Sequence, residues 1–303
     1  MSAVPLYELD PDVQVPRGLP LVVLLTGFTD AGSAVAHATE YLLETLDHQV
    51  VAEFRNDDLL DYRARRPTIV FDEDHLTDYQ APQLALRLAE DELGAPFLML
   101  TGYEPDFRWE QFTAELIDLV ERLGVSSTVW VHAIPMPVPH TRRIGTTVSG
   151  NRMELIEAYS VWRPRTQVPV NVGHLIEYRL AERDFSVASF ALLIPHYLAD
   201  TEYPAAAVAA IERVSLATGL MLPSEDLRED DREFLGKLTD QMQNNAELQR
   251  LVATLEERHD DYMESANVRN PLTDLDGEIP SAEVIAEELE RFLAAQNPNE
   301  DEV

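Results

Sequence analysis

Ahead of Pro223 the apolar residues fall into short continuous runs, separated by stretches with helical spacing. The run Pro20–Thr26 (PLVVLLT) has the length and uninterrupted hydrophobicity of a strand covered on both faces, and it ends in a glycine turn. Val35, Tyr41, Leu42 and Leu46 then mark one side of a helix over Ala31–Asp47. Further strands are predicted at Gln49–Arg55, Thr68–Phe71, Pro96–Thr101, Thr128–Ala133 and Ser186–Ile194. Leu84, Leu86 and Leu88 alternate with period two, which makes Gln83–Leu88 another strand. Helices are predicted over Arg108–Leu123, Gly173–Arg183 and Ala205–Thr218, the last entered through Tyr203-Pro204 with proline at the first helical position. Strands interleaved with helices, some strands consecutive, predict an α/β core: a mixed sheet covered by helices on both faces.

After Leu222-Pro223 the strand signal stops. This reading gives an α/β core over 1–222 and an acidic helical extension over 223–303 with a frayed C-terminus. Leu227, Phe234, Leu248, Leu255 and Tyr262 follow a seven-residue spacing, broken at Gln241. Asn244 followed by Glu247 has the form of a capping box, which predicts two helices rather than one rod. Ser281 opens a further short helix carrying Ile285, Leu289, Phe292 and Leu293. The extension reads either as a helical layer on the same molecule or as a subunit contact.

Composition narrows the chemistry. The 303 residues include 55 acids and 23 bases, a net charge of −32, which repels nucleic acid and anionic membranes and excludes both as expected partners. There is no cysteine, so thiolate catalysis, disulfides and cysteine-ligated metals are excluded. The only lysine is Lys237, in a helical acidic stretch unsuited to a phosphate loop or a Schiff base. The N-terminal residues lack the basic and apolar regions of a signal peptide, and the longest apolar run, Leu21–Leu25, is far short of the ~20 residues of a membrane span. A cytoplasmic protein is expected. No GxSxG elbow and no HExxH or HxxEH spacing occurs, so neither a hydrolase nucleophile, a metal nor a cofactor is expected.

Five loop segments carry the polar groups that remain. Thr26–Ser33 (TGFTDAGS) turns from strand to helix, with Asp30 either lining an anion seat or capping the helix. Arg63 and Arg66 belong to DYRARRP, the most basic patch, as a carboxylate or phosphate clamp or as partners of Asp57, Asp58 and Asp61. Glu104 leaves a buried strand within GYEPDFRW. His140 and Arg142 follow three prolines in PMPVPHTR, and His196 leaves the last strand in PHY. Asp30, Arg63, Arg66, Glu104, His140, Arg142 and His196 are therefore the candidate cleft for a ligand or partner, which forms if their strands run in compatible directions and exit at one sheet edge; otherwise the loops point to different ends of the sheet and each arginine pairs with a local acid. A histidine at a strand exit is also a common hydrogen-bonded structural residue.

Taken in order, GFTDAGSA (27–34), DYRARRP (61–67), GYEPDFRW (102–109), PMPVPHTR (135–142), LIEYRL (175–180) and PHYLADTEYPAAA (195–207) resemble the actinobacterial branch of the proteasome assembly chaperone family. The resemblance implies a three-layer α/β core similar to nucleoside phosphorylases, self-association, with a trimer the first expectation, and protein partners such as proteasome subunits. Such chaperones often dock through a C-terminal hydrophobic–tyrosine–any-residue tail; Glu302 stands where that tyrosine would be, which speaks against this mode. The expected function is a non-catalytic, homo-oligomeric chaperone-like or scaffold role. The alternative is an enzyme or sensor for a small anionic, nucleoside- or nucleotide-like molecule, which the fold analogy suggests.

Overall fold

Four of the uninterrupted apolar runs become the parallel centre of one large sheet, and the shorter, more polar segments become its antiparallel margins. The computed structural model describes residues 4–268 apart from Phe28 and Pro164, with side chains described as far as Glu264. Its strands are β1 (Tyr7–Leu9), β2 (Pro20–Thr26), β3 (His48–Phe54), β4 (Val70–Asp72), β5 (His75–Thr77), β6 (Leu84–Glu90), β7 (Pro96–Tyr103), β8 (Ser127–Met136), β9 (Thr146–Gly150) and β10 (Val187–Pro195). Its α-helices are α1 (Ala34–Thr45), α2 (Asn56–Leu59), α3 (Trp109–Leu123), α4 (Met153–Tyr159), α5 (Val172–Glu182), α6 (Pro204–Thr218), α7 (Glu225–Gln243) and α8 (Ala246–Val268).

The main sheet has the order β1-β3-β6-β7-β2-β8-β10-β9. Strands β7, β2, β8 and β10 are parallel, so all four exit at the same edge. β6, β3 and β1 continue the sheet antiparallel on one side, and β9 closes the other. Strand alternation divides each parallel run between two helical layers. Val22, Leu24, Val129, Val131 and Phe190 face α1 and α6, where the small residues Ala206, Ala207 and Ala210 let α6 sit close. Leu21, Val23, Leu98, Leu100 and Trp130 face α3 and α5 instead. The result is a three-layer α/β core with a helical C-terminal part. α7 joins the first layer: Leu227 and Leu238 are buried there, and Phe234 lies 5.4 Å from the Tyr203 ring. One compact unit runs through Asn245 and a second begins at Ala246.

Several local expectations change. The predicted strand Thr68–Phe71 stays out of the main sheet; Val70–Asp72 pairs with His75–Thr77 in a separate hairpin whose tip is acidic. The helix expected from Ala31 begins with a 3-10 turn at Ala31–Ser33, because Gly32 has φ 71° and interrupts the α conformation. The break between α7 and α8 lies where the sequence places it, but Asn244 closes α7 instead of capping α8. The helix expected at Ser281 and the residue Glu302 lie outside the described residues. Among the described residues no helix is long and apolar enough to cross a membrane.

Candidate functional site

The exit edge of the parallel strands contains a change of winding direction. β2 leads into α1 on one face of the sheet, whereas its neighbour β7 leads into α3 on the other. In open α/β sheets such a switch point opens a crevice that ligands use. Here Glu104 fills it. Its backbone N–H donates to Thr26 O at 2.7 Å, and the residue is 6% exposed. Oε1 accepts from Val172 N at 2.7 Å, at the start of α5, where the helix dipole favours a carboxylate. Opposite lies Gly27, and a Cβ there would stand 2.4 Å from Glu104 Oε2. A side chain at position 27 would therefore displace the Glu104 carboxylate from this position.

Behind Glu104 the inward face of β8 carries an aromatic stack. Trp130 and His132, two residues apart on one face, are stacked at 4.4 Å, and the His174 ring stands edge-on to both at 5.1 Å. His174 itself completes the capping box of α5 with Asn171. Burial, with the neighbouring His174, holds the His132 imidazole down at about 3, and its Nδ1 is buried without a hydrogen-bond partner. Trp130 Nε1 donates to Glu177 Oε2 at 2.9 Å, and burial pushes the Glu177 carboxyl up. The cavity left between Gly27, Glu104, Trp130, His132 and Val172 is about 20 Å³, room for about one water.

A second opening lies beside α6. A groove of about 490 Å³ runs between α6, α7 and the segment after β8. Arg142, Arg143, Arg213 and Arg228 line it, together with the acids Glu212 and Asp231 among the described residues. Arg228 pairs with Glu212 at 2.7 Å. Arg213 lies 6.0 Å over the Tyr159 ring, and its Nε is buried without a partner. Asp231 Oδ1 is likewise buried and unpaired, and burial pushes this carboxyl up.

The seven candidate residues therefore divide among several places. His140 and Arg142 line the arginine groove, and Glu104 fills the switch point. His196 sits beside the groove segment through Tyr197, whose hydroxyl meets His140 Nδ1 at 2.7 Å while its ring stands edge-on to His196. Asp30 caps: its carboxylate accepts from Val35 N and Ala36 N, each at 2.9 Å, while burial pushes its pKa up. Arg63 and Arg66 are exposed and line neither opening. The arginine between them, Arg65, turns inward, donating to Glu104 O at 2.6 Å and pairing with Asp106. Local spacing does not single out Arg65 from its two neighbouring arginines, and it gives no sign of a role for His174 or Arg213. The period-two pair Trp130–His132 on a strand exit was the available signal for the stack. Among the described residues no three His, Asp or Glu side chains come together as a metal site.

Comparison with known proteins matches the chain to one family and its fold. The profile described as the PAC2 family matches residues 24–242. The chain is similar to a Corynebacterium glutamicum protein of unknown function, with 35% identity, 86% of this chain and 98% of that one covered, and a TM-score of 0.83. It is also similar to a Mycobacterium tuberculosis protein of unknown function, with 42% identity, coverage of 85% and 92%, and a TM-score of 0.80. A Mycobacterium tuberculosis proteasome-assembly chaperone homologue shares the fold at 21% identity, with coverage of 77% and 100% and a TM-score of 0.70. No curated protein matches the chain.

Proposed function

We propose, from the premise that this chain belongs to the PAC2 family, that it is a non-catalytic, homo-oligomeric chaperone-like or scaffold protein of the cytoplasm. Its partners in this reading are copies of itself and other protein subunits, proteasome subunits among them, in keeping with the solved relative described as a proteasome-assembly chaperone homologue. The observation that carries it is the filled switch point. The crevice in which an α/β enzyme would hold a small ligand is occupied by Glu104, bonded to the start of α5 and facing Gly27. Substrate-sized pockets run to about 300–1,000 Å³, whereas about 20 Å³ remains here. The arginine groove is then the partner surface: a concentration of cationic groups in a chain of net charge −32, suited to an acidic segment of another protein.

The size and charge of that groove favour one second reading, an enzyme or sensor for a small anionic molecule. A thermal-shift series with nucleosides, nucleotides and inorganic phosphate separates the two. The chaperone-like reading expects no saturable rise in Tm up to millimolar ligand. A ligand present at 100 times its Kd would add about 2.7 kcal/mol of stability, which such a series detects easily; a rise of that kind would transfer the function to the small molecule.

A further inference from the structure

The hairpin formed by β4 and β5 is built as if something covers it. Ile69, Val70, Phe71, Leu76 and Tyr79 are 47, 48, 70, 60 and 55% exposed. Phe71 and Leu76 are directly opposed across the two strands. A two-stranded hairpin with three residues per strand is marginal in water on its own. Its surroundings are acidic: Asp72, Glu73 and Asp74 lie within it and Asp78 directly follows it, with no lysine or arginine from 67 to 86. A complementary surface occurs elsewhere on the same chain. Residues 165–170, between α4 and α5, are exposed, with Val168 at 62% and Val170 at 59%. They make no backbone hydrogen bond among the described residues. From 158 to 176 there are two arginines, Arg163 and Arg165, and no acid, in a chain where acids outnumber bases 55 to 23.

We propose that the β4–β5 hairpin of one copy docks on the 163–170 segment of a second copy. Phe71 and Leu76 would meet Val168 and Val170, while the hairpin's acids face Arg163 and Arg165. This contact rests on the self-association proposed above and assigns it to residues. The match is chemical on both counts, apolar to apolar and acid to base. It also explains how so acidic a chain meets itself, since the arginine-bearing segment is one of the few stretches that an acidic hairpin would not repel. The two surfaces differ, and the described residues leave each uncovered, so the contact is heterologous and repeats from copy to copy, closing a ring when the rotation permits.

The absence of cysteine makes the test clean. Leu76→Cys and Val168→Cys full-length proteins are prepared separately, mixed and treated with a short bis-maleimide. Light scattering is run in parallel on wild type and on a Phe71→Ser/Leu76→Ser variant checked by circular dichroism. The proposal expects a wild-type mass that is a multiple of 34.2 kDa, a variant at 34.2 kDa, and a covalent dimer only in the mixture. If wild type associates, the variant keeps its mass and the mixture stays uncrosslinked, this contact is overturned while self-association stands. Crosslinking of Leu76→Cys alone would mean that hairpins meet each other, which overturns the pairing with 163–170. A wild type that stays at 34.2 kDa at every concentration removes the self-association reading and this inference with it.

Discussion

His132 is the residue at which the packing has the most readable consequence. Its ring is stacked on Trp130 and faces His174, and burial holds it at about 3 against an ordinary 6.5. Below pH 6.5 the unfolded chain takes up a proton that the native state refuses, so this residue's contribution falls as pH falls, down to about 3. The predicted size is about 1.4 kcal/mol between pH 7.5 and 5.5. Urea unfolding at the two values, wild type against His132→Gln, isolates it from the carboxylates, which titrate in both proteins. Wild type should lose that much more than the variant; equal losses would mean that His132 is protonated in the folded protein. His174 is also lowered by burial and acts in the same direction. At this scale the sequence is only half legible. Glu104 and Asp30 stand out in it as polar groups at strand exits, but the direction in which each turns depends on what packs opposite. For Glu104 that is the start of α5, 68 residues away, and local spacing carries no trace of it.

Among the elements, the central strands are the most legible part, because burial on both faces demands an unbroken apolar run that can be read without knowing the partner. The short margins are not: β1 and β9 have three and five residues and alternate with polar ones. The β4 segment shows the reverse limit. Ile69, Val70 and Phe71 have strand propensity, but nothing local says that they pair only with β5 and stay uncovered. One prediction belongs here. Gly102 lies in β7, paired with both Leu84 and Leu25, with φ 133°. A Cβ at this position would meet Gln83 O at 2.2 Å. Backbone cannot yield as a side chain tip can, so Gly102→Ala should cost more than about 2 kcal/mol, read as a lower urea midpoint. The open Gly94→Ala site, where a Cβ meets nothing within 4 Å, controls for backbone strain without crowding. Equal costs at the two positions would show that the crowding is relieved.

For the molecule as a whole, the distribution of charge decides more than its total. A net −32 keeps the surface repulsive toward nucleic acid and toward other copies, and arginine lines the groove between α6 and α7. The family is legible from six ordered segments, and the α/β core from the apolar runs themselves. The division of the exit edge into a filled crevice and an open groove is not, because it depends on which face each crossover helix takes. If the groove is the partner surface, binding is electrostatically steered and weakens with salt. The most direct measurement is quantitative affinity capture from native cytosol at low ionic strength, wild type against Arg142→Glu/Arg143→Glu, followed by a salt step. The account predicts one or a few protein subunits in fixed ratio to wild type, released by salt and lost from the variant. Capture of the bait alone by both proteins, or identical partners on both, would contradict it.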